Sequence, residues 1–364
     1  MKSSSLLLSI VAAVTMTFGV STSSAQGQCP ADVNHDQQVN ATDLASVLSA
    51  WGTNGSTTGT DINNDGLVNG SDLTFVFSGW GPCPDPTWAT VLEWAPDPTV
   101  VTDANLRAAI VASGFAWRVR DNSSNIEMLL VPGGTFMMGC SASTQHGCNS
   151  NESPTHQVTL TQAFYMGRYE VTQAQWTAKM GSNPSAFQGA SYPDAANRPV
   201  ERVSWNMIAS GSTSFMSLTG LRLPTEAEWE YAYRAGTTTA FHSYALSPTE
   251  GQPNGFNDDT LLGNIAWFYP AAGNQTHVVG GKYPNALGLH DMSGNVWEWC
   301  QDWYGPYSSA SVSNPTGPTT GSYRLMRGGY WNSNSLSCRA SRRYDAGTPD
   351  NNNLLNGFRV VRTP

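Results

Sequence analysis

Acidic and amide side chains at a repeated spacing are the first residues in this chain that could do chemistry. DVNHDQQVNATD begins at Asp32 and DINNDGLVNGSD at Asp61, and each copy is followed by an apolar stretch ending in Trp-Gly, at Trp51 and Trp80. Loop positions 1, 3, 5, 9 and 12 are Asp32, Asn34, Asp36, Asn40 and Asp43 in the first copy. In the second they are Asp61, Asn63, Asp65, Asn69 and Asp72. Oxygen donors at these intervals, with a main-chain carbonyl at position 7 (Gln38, Leu67), form the ligand set of an EF-hand-type calcium loop. Duplication makes chance occurrence a poor explanation. Gly66 supplies the turn at position 6 of the second loop, whereas Gln37 stands there in the first, which is therefore expected to bind the more weakly.

A second acidic pair, Asp291 and Glu298, lies in GLHDMSGNVWEWCQDW, from Gly288 to Trp303. Carboxylates with carbonyls between them suit a hard cation. Glycines and indoles mixed in this way do not follow the period of a strand or a helix, so the segment is expected to belong to a loop-built fold. The six histidines are scattered, with no pair at a helical metal spacing, and no serine-elbow or phosphate-loop motif occurs.

Six cysteines follow a candidate leader. Lys2, the apolar run from Leu6 to Val20 and the small residues Ser23 and Ala25 form a signal-peptide pattern, too short for a membrane span, so cleavage near Ala25 and export are expected. Disulfides persist in that environment. Of the 15 possible pairings, position favours Cys29 with Cys83 bracketing the calcium module and Cys140 with Cys148 closing a short loop, which leaves Cys300 with Cys338. His146 offers a metal alternative for the short loop, and a disulfide is the preferred reading.

A net charge of −9 opposes a nucleic-acid partner. The expected organisation is a signal peptide (1–25), a calcium module (26–85), a proline-punctuated linker (86–120) and one large domain (121–364). In the linker, Thr102 or Asp103 should cap a short helix that carries Leu106 and Ile110 and stops at Gly114. A strand is expected over 126–131. Capping boxes at Thr172 with Gln175 and Thr225 with Glu228 predict two further helices, the second stopping at Gly236. Ser204 should start a third, running toward Leu218.

The duplicated loops resemble dockerin modules, which implies bound calcium and a cohesin-like partner on another protein; a purely structural spacer is the alternative. From about residue 125 onward the chain resembles the formylglycine-generating enzyme, or sulfatase-modifying factor, family. VPGGTFMMG, HQVTL, FYMGRYEVTQAQW, RPVERVSW, LRLPTEAEWEYAYRAG, YPNALGLHDMSGNVWEW, RGGYW and NGFRVVR carry the likeness in order. It implies an α+β, loop-rich, C-type-lectin-like fold. It also implies one calcium site from Asp291, Gly294, Val296 and Glu298 and a second beginning at Asn264 and Ile265.

The resemblance further implies an oxidase that converts a sulfatase cysteine to formylglycine through a copper(I)-binding cysteine pair after the RGGSW motif, thiolates being the ligands soft copper prefers. Counted from Trp331, the pair falls on Ser333 and Cys338, and Tyr330 replaces the motif serine. Copper is therefore not expected, and Cys338 is catalytic only on the oxidase reading. CRASRR also matches the family's Arg-rich stretch further on, which would make Cys338 a structural cysteine beside Cys300. The favoured reading is a secreted, non-oxidase member that binds a peptide or glycan through the segment 331–343. Trp331, Asn332, Asn334 and Arg342 are its foremost contacts, with Arg339 and Arg343 also available unless paired internally. The alternatives are a working formylglycine-generating oxidase and an inert scaffold component recruited by its dockerin-like module.

Overall fold

A computed structural model describes residues 29 and 31–364, apart from 35, 37, 56–58, 64, 84, 141–146, 248, 249 and 253. The leader expected over 1–25, Gln37 and His146 lie outside the described residues.

The duplicated sequence folds as duplicated structure. Helices Ala41–Ser49 and Gly70–Ser78 begin at Asn40 and Asn69, and each closes a capping box with the aspartate three residues on, Asp43 or Asp72. The two helices enclose a small core of Val39, Val47, Val68, Leu73 and Val76. The first loop's strand pairs with Gly81–Pro82, and Cys29 is bonded to Cys83 with the Cα atoms 5.6 Å apart. Such a core is too small to be secure alone, so the crosslink and any bound cation contribute much of its stability.

Beyond it Asp103 caps the linker helix Ala104–Ala112, its carboxylate accepting from Leu106 N at 2.8 Å. The large domain is then built from short sheets. A five-stranded sheet runs in the order 361–362, 164–167, 127–131, 118–121, 89–93, so the last strand pairs with one near the start of the domain. A four-stranded sheet orders 344–347, 324–327, 297–303 and 356–357, and a three-stranded one orders 312–313, 156–160 and 134–138. Trp117, Trp176, Trp229 and Trp299 lie fully buried in one continuous core with Leu129, Tyr233 and Phe358.

Both expected capping boxes form, over Gln173–Met180 and Glu226–Arg234; the latter stops at a left-handed Ala235, one residue before Gly236. The helix after Ser204 ends at Ala209. Gly211 adopts φ +80° and Ser214 begins a separate helix, Phe215–Thr219, because a Ser-Gly-Ser-Thr-Ser run favours turns and caps over helix interior.

Candidate functional site

The calcium loops are built by the helices that follow them. In the first, carboxylate oxygens of Asp32, Asp36 and Asp43 all lie within 4.8 Å of one another. Main-chain amides fix that ring: Asp36 N donates to Asp32 Oδ1 and to Asn34 Oδ1, both at 3.0 Å, and Gln38 N donates to Asp36 Oδ1 at 2.9 Å. The second loop repeats this, with Asp65 N on Asp61 Oδ1 and Asn63 Oδ1, Gly66 N on Asp61 Oδ2 and Leu67 N on Asp65 Oδ1. Asp43 and Asp72 are wholly buried, each anchored by the amide of the capping asparagine, Asn40 or Asn69. Converging carboxylates with no lysine or arginine in either loop suit a divalent cation held by oxygen.

In the large domain, the segment after RGGYW decides whether a copper pair exists. Ser335–Cys338 forms a 3-10 turn capped by Asn334, and this returns Cys338 Sγ to 3.5 Å from Ser333 Oγ. Gly329 makes room for it: at φ +82°, a Cβ there would stand 2.8 Å from that sulfur. The two positions that counting from Trp331 selects are thus neighbours in space, and one of them carries a hydroxyl. Burial pushes the Cys338 thiol up to about 12, far from a reactive thiolate.

The expected Cys300–Cys338 bond does not form, and both thiols are free. Cys300 packs in the main core, on the strand Trp297–Trp303. Cys338 packs in a separate cluster with Ala240, Phe241, Phe256 and Ile265. Membership in different clusters is the physical reason, and it also corrects the placement of Cys338 beside Cys300. Cys140 and Cys148 are bonded as expected.

The arginines of this segment divide. Arg339 forks onto Glu152 at 2.7 and 2.8 Å, and Arg343 onto Glu226 at 2.7 and 2.9 Å, all four groups buried. Arg342, between them, is part-buried and has no hydrogen-bonded or ion-pair partner for its guanidinium among the described residues. Asn332 is exposed. Trp331 and Asn334 depart from the expected ligand role: the indole is buried against Phe187 and donates to Leu354 O at 3.4 Å, and the amide oxygen caps the turn.

The expected calcium site around Asp291 and Glu298 is only partly assembled for a cation. Glu298 already receives Arg359 Nε and Nη2 at 2.6 Å each and Trp229 Nε1 at 2.7 Å, so a guanidinium occupies the place of the metal charge. Asp291 accepts from Gly280 N at 2.6 Å, while its buried Oδ1 has no partner among the described residues. Burial raises the Asp291 carboxyl to about 6. Gly294 and Val296 lie beside it in the chain, and Val296 N donates to Glu170 Oε1 at 3.1 Å. Glu170, which the sequence reading missed, is fully buried, and burial followed by the neighbouring Asp291 pushes its carboxyl well up. At the second expected site, Asn264 donates to Tyr244 Oη at 2.8 Å and Ile265 is core. Lys282 Nζ binds the adjacent Gly263 carbonyl at 2.5 Å while lying 3.9 Å over the Trp267 ring, so protein cations stand beside both sets of oxygens.

Residues 115–364 match the model of the sulfatase-modifying factor enzyme 1-like domain. The chain belongs to that family. Residues 30–78 match the dockerin type I domain. The formylglycine-generating enzyme of Streptomyces coelicolor is 29% identical over 305 residues, covering 70% of this chain and 94% of that protein. The serine/threonine-protein kinase pkn1 of Chlamydia caviae is 31% identical over 260 residues, and there the match spans 65% of this chain and 38% of the kinase's length. Among solved structures, Treponema denticola variable protein 1 superposes with a TM-score of 0.56 at 29% identity, covering 66% of this chain and 95% of that one. These likenesses agree with the mixed α+β, loop-rich architecture. Among the described residues no helix is long and apolar enough to cross a membrane.

Proposed function

We propose that this is a secreted binding protein of the sulfatase-modifying factor family, without oxidase activity, recruited by its dockerin module to a cohesin-type partner and loaded with calcium in the two duplicated loops. The observation that carries the non-oxidase reading is the Ser333–Cys338 neighbourhood. A copper(I) site of the family's kind takes two thiolates, and these positions offer one buried thiol and one hydroxyl 3.5 Å away. Cys300 cannot make up the deficit, because it lies in the main core and burial raises its thiol far above the ordinary range.

Arg342 and Asn332 support the binding role. A guanidinium without a hydrogen-bonded partner among the described residues, in the same segment as an exposed amide and with Arg339 and Arg343 both tied down, suits an anionic group such as a carboxylate or sulfate. The rigid surroundings hold the contact loop, as binding loops on stable scaffolds generally require.

Copper(I) titration of the full mature chain, followed by incubation with a sulfatase-derived cysteine peptide, tests the central claim. No stoichiometric copper uptake and no loss of the peptide thiol are expected. Formation of formylglycine would overturn the proposal and restore the oxidase reading.

A further inference from the structure

A cavity of about 150 Å3 opens on the large domain where the strands 134–138 and 156–160 meet the loop that follows Trp303. Its floor carries Asp302, His156 and Tyr307, and its rim is the Gly- and Pro-rich stretch containing Ser308, Pro315 and Pro318. None of these positions belongs to the calcium loops, and of the segment 331–343 only Arg343 lines the cavity.

The polar groups of the cavity are arranged without net charge. Glu226 and Arg343, which also reach it, are consumed by each other in a bidentate pair. Asp302 is buried, and its Oδ2 accepts from Glu226 N at 2.9 Å; Oδ1 has no protein partner among the described residues. Burial, then the nearby Glu226 carboxylate, raises the Asp302 carboxyl to about 8, so at neutral pH it is a proton donor. The charged groups that act on it include Glu226, Glu228 and Arg343, and Arg324 also feels its charge, as does the buried Cys300 thiol. His156 Nδ1 faces the Pro154 carbonyl at 3.2 Å, a partner that can only accept, so in the neutral ring the proton sits on Nδ1 and Nε2 is the acceptor. Its ring lies 4.7 Å from that of Tyr307, whose hydroxyl is held by Glu226.

We propose that this cavity is a binding site for one neutral sugar unit, its hydroxyls bridging the Asp302 carboxyl and His156 Nε2 while its apolar face lies on the tyrosine and proline walls. A site that pairs a fixed donor with a fixed acceptor selects a group with both properties, and a hydroxyl has both. Size is consistent: the cavity equals about five waters in liquid volume and is smaller than the roughly 300 Å3 of a drug-sized site. An anionic ligand would face Glu226, and a cationic one would face Arg343.

Saturation-transfer NMR on the full calcium-loaded chain tests this, with methyl hexopyranosides as probes and methyl glucuronide as the charged control. Transfer to at least one neutral glycoside is expected, fading as the pH rises through about 8 as Asp302 loses its donor proton, whereas any transfer to the glucuronide, whose carboxylate suits Arg342, should be unchanged by blocking this cavity. Asp302→Asn keeps a donor that does not titrate, so its signal should persist across that range. Ser308→Trp, at the exposed rim, should abolish transfer without lowering Tm. No transfer from any neutral glycoside, equal transfer above and below pH 8 in the unaltered protein, or full transfer in Ser308→Trp would overturn the proposal.

Discussion

Replacing Ser333 by Cys should rebuild the thiol pair that this chain lacks. The substitution sets a second sulfur against Cys338, at a position whose oxygen now lies 3.5 Å from Cys338 Sγ. Its structural cost is small, since the hydroxyl makes local bonds to Tyr330 N and O, worth about 1 kcal/mol each. In the unaltered protein burial moves the Cys338 thiol from 9.0 to about 12. That rise corresponds to about 4 kcal/mol against ionisation and about 10^3-fold less thiolate than an ordinary cysteine. Native alkylation followed by intact mass should therefore leave Cys338 and Cys300 unmodified until denaturant is added. One soft cation coordinated by two sulfurs offsets the cost of ionising them. Competition against a chromophoric copper(I) chelator should show one equivalent bound by Ser333→Cys and none by the unaltered chain. The reasoning is refuted if the unaltered chain holds copper as tightly as the variant, if Cys338 alkylates rapidly in the native state, or if a folded Ser333→Cys variant gains no copper.

Elemental analysis of the full chain should show that Asp43→Ala and Asp72→Ala each remove one calcium equivalent. Each should also lower the module's stability by about 1 kcal/mol through the lost capping bond. Asp302→Asn should be judged by urea unfolding across pH. The folded carboxyl titrates near 8 against an unfolded value of 3.8, so its contribution is fully present below the unfolded value and is lost as pH rises through about 8. The stability of the unaltered protein relative to the variant should thus fall over that window by at most roughly 6 kcal/mol, and a pH-independent difference would contradict the assignment. Glu152→Gln leaves the buried Arg339 guanidinium without its carboxylate and should cost about 3–5 kcal/mol, read as a large drop in Tm; an unchanged Tm would show that the fork contributes little.

Local chemistry was legible in the residues themselves. The spacing within DVNHDQQVNATD and DINNDGLVNGSD sets loop and helix start together, because Asn40 with Asp43 and Asn69 with Asp72 cap the helices through contacts three residues apart. Thr172 and Thr225 announced their helices for the same reason, and Cys29 and Cys83 could be paired because they bracket one small module. The run from Ser210 to Ser214 shows the limit of local reading: the cap at Ser204 suggested a helix running through it toward Leu218, and turn-forming residues won. Partners far apart in the chain were decided only by the tertiary structure. Which carboxylate meets which guanidinium depended on sheet order: parallel pairing of 297–303 with 356–357 brings the C-terminal segment beside Glu298, where Arg359 binds it. Cys338 meets Ser333 rather than Cys300 because a short turn folds it into a different apolar cluster, and Arg342 stays without a partner among the described residues because its neighbours claim Glu152 and Glu226. Sequence fixes short-range geometry through bonds a few residues long, while charge pairing and thiol chemistry depend on which distant surfaces are buried together.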